Sequence, residues 1–147
     1  MSEHIGFLLN DTARLYRRAF NARSREDGCT ALQWRLMMYI RREPGIRQGP
    51  VAELIEVEPI TLSRMVDRLQ ESGLVERRHD PSDRRAWLLY LTPQAEKLMQ
   101  GIRHMIDDLE SMAMDGLTAP EQAELKRLVA KVQSNLSNRT ACPAQEK

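Results

Sequence analysis

Apolar side chains recur at three- and four-residue intervals through most of this chain and at two-residue intervals in one short region. Ile5, Leu8, Leu9, Thr12, Leu15, Tyr16, Ala19 and Phe20 fall on one stripe, which predicts a helix over about residues 5–25. Leu32, Leu36, Met37 and Ile40 stripe a second helix that stops before REPGIRQGP, where Pro44, Gly45, Gly49 and Pro50 forbid continuation. A third helix of about two turns is expected to turn Val51, Leu54 and Ile55 inward. Pro59 opens and Gly73 closes a fourth, whose inner stripe is Leu62, Met65, Val66 and Leu69. A step of roughly 100° per residue puts Ile60, Arg64, Asp67 and Glu71 on the opposite face, flanked by Ser63 and Arg68.

After Gly73 the period changes from helical to extended. LVERR and AWLLYLT read as strands, and HDPSDRR between them reads as a seven-residue hairpin tip. Trp87 alternates with Leu89 and Leu91, so it is expected to pack behind the hairpin. Asp80 and Pro81 set the turn. Thr92 and Pro93 then form a strong helix start, followed by a five-turn stripe from Ala95 to Ala113. Thr118 and Glu121 have capping-box spacing and open a last helix striped by Leu125, Leu128, Val129, Val132 and Leu136. Residues 137–147 read as a flexible tail.

A short helix, a turn, a second helix with a polar outer face and then a charged hairpin is the order of a winged helix-turn-helix. The fold class expected is therefore mostly α with a small β wing. One domain over residues 1–147 would comprise a winged-helix lobe at 30–92 and long dimerisation helices at 5–25 and 93–136. The apolar stripes of the later helices exceed what that lobe can cover, which predicts self-association as a homodimer.

Charge narrows the partner. A net charge of +1 over 147 residues argues against a protein that coats nucleic acid indiscriminately. The distribution is uneven: residues 1–42 hold eight arginines against four acids, while residues 86–136 hold five basic residues against seven acids. A polyanion would therefore meet the front half and middle of the chain. Cys29 and Cys142 are the only cysteines, which leaves no disulfide framework and no Cys-x-x-Cys metal site. His4, His79 and His104 lie on separate elements without ligand spacing, so neither a metal nor a cofactor is expected. No secretory signal or membrane span is visible, and a cytoplasmic location is expected.

The fourth helix and the hairpin carry the candidate chemistry. A helix about 10–12 Å across fits the major groove, so Thr61, Ser63, Arg64 and Arg68 are placed to reach base edges and phosphates. Arg64 is the strongest base reader, since a guanidinium can bind guanine bidentately, and Asp67 is expected to hold it in place. The minor groove, about 6 Å wide and strongly negative, admits a thin β tip bearing Arg84 and Arg85. Asp83 is expected to accept hydrogen bonds from these arginines and fix them.

DPSDRRAWLLYLT is similar to the wing signature of the MarR transcriptional regulators, and TLSRMVDRLQESGLVERR resembles their recognition helix. CTALQW and the layout over residues 5–136 look most like the SlyA branch. The resemblance implies a homodimer whose first, fifth and sixth helices intertwine, bound to double-stranded DNA at a pseudo-palindromic operator. It implies Arg85 in the minor groove with Asp83 as its partner, and Arg64 in the major groove. It also implies a crevice for a small aromatic or phenolic effector, to which Arg14, Trp34, Met38 and Met65 correspond. Met38 and Met65 replace more polar residues of better-known relatives, which speaks against a hydrogen-bonded ligand such as salicylate. No cysteine stands where the thiol-sensing branches carry one. The function implied is a repressor released from its operator by such a ligand. An alternative is a winged-helix module that binds only proteins. An enzyme built on His79, Asp80 and Asp83 is disfavoured, because an exposed tip cannot shift their pKa values for catalysis.

Overall fold

Five of the helices begin where a side chain satisfies the free amides of the first turn or a proline removes one. The computed structural model describes residues 4–140. In chain order its elements are α1 (Ile5–Arg23), α2 (Ala31–Arg42), β1 (Ile46–Arg47), α3 (Gln48–Leu54), α4 (Pro59–Glu71), β2 (Val75–Asp80), β3 (Asp83–Leu91), α5 (Pro93–Ala113) and α6 (Ala119–Thr140). Thr30 and Gln33 form a capping box at α2. Pro59 occupies the first turn of α4. Thr92 Oγ1 accepts the Ala95 N–H at 3.2 Å to cap α5, and Thr118 and Glu121 cap α6 reciprocally.

Helix α4 ends at Gly73, whose φ of +73° is the left-handed conformation that glycine adopts without steric cost. The Gly73 N–H reaches the Gln70 carbonyl and the Leu74 N–H reaches that of Leu69, a Schellman closure that turns the chain directly into β2. The strands form one antiparallel sheet in the order β1-β3-β2. Val75 pairs with Leu91 and Arg77 with Leu89, while Ile46 pairs with Leu89 on the other side.

Several expectations need correction. Leu54 is 45% exposed, and the buried face of α3 is Val51, Ala52 and Ile55. The helix begins earlier than expected, at Gln48, because Gly49 and Pro50 sit in its first turn, where proline's missing N–H is not needed. Strand β1 went unrecognised because two residues carry no periodicity. The hairpin tip is Pro81 and Ser82 rather than seven residues, since pairing continues to Asp80 opposite Asp83. Helix α6 runs on to Thr140, past the expected start of the tail at 137. Residues 141–147, with Cys142, lie outside the described residues.

The chain divides into two compact units, one ending at Leu109 and the other beginning at Glu110. The first contains two apolar clusters. One gathers Leu36 and Ile40 of α2, Ile46, α3, the inner stripe of α4, Val75 and Leu89. The other gathers Phe20, Cys29, Met37, Ala95, Met99, Ile102 and Leu109. Helix α2 thus serves both clusters, with Leu36 and Ile40 on one side and Met37 on the other. In the second unit Leu125, Leu128, Val129 and Val132 of α6 remain 39–46% exposed. No helix among the described residues is long and apolar enough to cross a membrane, and no group of His, Cys, Asp and Glu there could hold a metal ion.

Candidate nucleic-acid interface

The outer face of α4 is built by the burial of its inner one. Leu62, Val66 and Leu69 are sealed in the core and Met65 packs against it, which leaves Thr61, Arg64, Asp67 and Arg68 exposed and Ser63 half-buried. Ile60, at the head of this face, is 64% exposed. Arg84 and Arg85 are exposed near the free end of the hairpin.

The wing turn is held by a carboxylate. Asp80 is buried, and its Oδ1 accepts the Ser82 backbone N–H at 2.9 Å and the Ser82 hydroxyl at 2.7 Å. Its Oδ2 accepts from Arg47 of β1 at 2.5 Å. The Ser82 bonds, and after them Arg47, hold the Asp80 carboxyl below the usual carboxylate range. Asp83 accepts the backbone N–H of Arg85 at 3.0 Å. The expected bond to guanidinium is therefore a bond to the main chain, and Asp83 shapes the start of β3 instead. Further along, His79 stacks on its cross-strand partner Trp87 with ring centroids 4.0 Å apart, and Trp87 is half-buried there. On the opposite face Arg78 lies 4.1 Å over the Tyr90 ring and bonds Glu76, whose carboxyl it holds below its ordinary range.

A second acid is also used differently. Asp67 pairs with Arg77 of β2, not with Arg64. Arg77 also donates to the Ser63 carbonyl at 2.9 Å, the Ser63 hydroxyl at 3.3 Å, Gln48 at 3.1 Å and Gln70 at 3.4 Å. Sequence reasoning missed Arg77, Gln48 and Arg47. The signal for Arg77 was present: alternation from Val75 puts it on the core side of β2, where a guanidinium must find acceptors.

The four residues matched to an effector crevice have different settings. Arg14 is exposed and bonds Asp11 at 3.3 Å. Trp34 packs near Phe20, ring centroids 6.2 Å apart, and Met65 lies against the winged-helix core. Met38 is 42% exposed and opens onto a concavity of about 490 Å³ that it lines with Arg35, Tyr39, Arg41 and Arg42. Cys29 is buried, and burial, reinforced by the Asp27 charge, pushes its thiol up to about 11. Such a thiol is inert near neutrality.

Comparison with known proteins agrees with this architecture. The transcriptional regulator HosA of Escherichia coli O111:H- is 32% identical over 103 residues, which span 70% of this chain and 76% of that protein. A crystal structure of MarR superposes with a TM-score of 0.83 at 26% identity, covering 91% of this chain and 98% of the other. A mutant MarR from Escherichia coli complexed with operator DNA gives a TM-score of 0.75 at 29% identity, covering 87% and 92%. The MarR family profile matches residues 29–87, the span from the end of the α1–α2 loop to Trp87 on the wing. Over both its winged-helix region and most of its length, the chain belongs to the MarR family.

Proposed function

We propose that this chain is a sequence-specific repressor that binds duplex DNA as a homodimer, α4 reading the major groove and the β2–β3 wing entering the minor groove. The observation that carries this reading is the pair of exposed arginine sets, Arg64 and Arg68 on α4 and Arg84 and Arg85 on the wing, in one lobe of the MarR fold. Thr61 begins the polar face, and Ile60 beside it offers an apolar surface suited to a thymine methyl. Support for two-fold association comes from apolar side chains left exposed on α1, among them Ile5, Phe7, Leu8 and Leu15, and from those on α6. A two-fold dimer requires two half-sites about 34–36 Å apart, hence a pseudo-palindromic operator.

In this reading a small aromatic or phenolic anion relieves repression by favouring a lobe separation that no longer matches successive grooves. Arg14, Trp34, Met38 and Met65 are the residues proposed to meet it. Met38 and the arginines around its concavity offer an apolar floor with cationic walls, which suits such an anion. Gel retardation of the DNA upstream of the chain's own gene tests the reading. Retardation that weakens steeply with salt is expected, because phosphate contacts release counterions. A folded dimer that retards no fragment at moderate salt would refute it.

A further inference from the structure

We propose that Arg77 is a positioning residue that locks the wing to the recognition helix, and so sets where Arg85 falls relative to Arg64 on DNA. The inference rests on the DNA-binding reading above and adds a role that neither the helix nor the wing has by itself.

Arg77 lies on the core side of β2, two residues after buried Val75 and opposite Leu89. Its side chain is only 12% exposed. A guanidinium has five N–H donors in a rigid fork, and here each nitrogen meets acceptors. Nε donates to Gln48 of α3, Nη1 to Asp67 and Gln70, and Nη2 to the carbonyl and hydroxyl of Ser63. One side chain on the wing thus grips α4 at three residues, over two turns of its outer flank, and α3 at one. With its donors committed and its side chain mostly covered, Arg77 has nothing left for a phosphate. Asp67 and Ser63 are engaged with it, so they support the surface and leave base reading to Thr61, Arg64 and Arg68.

The fork decides the chemistry. Lysine keeps the charge, but as a compact ammonium on a flexible stem it cannot hold α3 and both turns of α4 in one plane. The acceptors tolerate its loss, because Asp67 is 54% exposed and returns to water, and the Ser63 carbonyl lies within α4. Removing the fork should therefore loosen the wing without unfolding the lobe.

The test uses the full chain and two duplexes of equal length: one selected by the wild type from a random pool, and a scrambled version of it. Wild type, Arg77→Lys and Arg77→Ala are compared by fluorescence anisotropy, with thermal unfolding in parallel. Both variants are expected to bind the scrambled duplex within about twofold of wild type but to lose about tenfold or more of the discrimination between the two duplexes. The contributions of Arg64 and Arg85, measured by alanine substitution, should be coupled in the wild-type background and additive in Arg77→Lys. Unchanged discrimination in Arg77→Lys would overturn the proposal. So would an equal loss on both duplexes, which would make Arg77 a phosphate contact. If Arg77→Ala does not fold, Arg77→Lys alone decides between these outcomes. A wild type that selects no sequence would instead refute the DNA-binding reading itself.

Discussion

Arg85 and Cys29 show how differently exposure treats a reactive side chain in this lobe. Arg85 is exposed beside the turn, and Asp83 binds its backbone N–H, so the main chain that carries it is fixed while its side chain stands in solvent. Arg85→Ala should weaken binding to the selected duplex by about ten- to a hundredfold, the 1–3 kcal/mol typical of a good groove contact, with an unchanged thermal midpoint. Titration of labelled duplex checks it. The Cys29 thiol has the opposite setting. With its pKa raised to about 11, the folded state favours the protonated form. Its contribution to stability is complete below the ordinary thiol range and is lost as pH rises from there through about 11. Peptide mapping after iodoacetamide at pH 8 should find Cys29 unmodified in native protein and alkylated in urea.

At the scale of elements, the junction between wing and α5 depends on Thr92. Its hydroxyl accepts the Ala95 N–H and donates to the Gly73 carbonyl at 2.6 Å, tying the start of α5 to the end of α4. Thr92→Ala should cost about 1–2 kcal/mol, read as a lower denaturant midpoint with an unchanged slope. This cap was legible in the sequence, as were the helix stripes and the Gly73 stop, because each is decided by residues within a few positions of one another. The exposed face of α4 and the wing arginines were legible for the same reason. The interactions missed join residues far apart in the chain: Arg47 with Asp80, and Arg77 with Gln48, Ser63 and Asp67. Sequence reasoning pairs Asp67 with Arg64, three residues before it, and Asp83 with the adjoining Arg84 and Arg85. Proximity in sequence suggested guanidinium partners; the fold gave Asp67 an arginine on β2 and turned Asp83 to a backbone amide.

At the scale of the whole molecule, the proposed dimer makes the stripe on α6 a functional requirement. Leu128→Asp places a charge in the middle of that stripe, where Leu128 is 45% exposed in the single chain. Sedimentation should then report a shift toward monomer, and binding to a two-half-site duplex should fall by much more than binding to one half-site. The short strand β1 has a consequence of another kind. It borders β3 only at Leu88 and Leu89, so from Trp87 outward the hairpin is a two-stranded ribbon, the least self-sufficient form of sheet. The register shift beyond His79 falls within that ribbon. The Arg47–Asp80 pair spans that ribbon and ties its turn back to β1, so the far end of the wing depends on one ion pair where a third strand is missing.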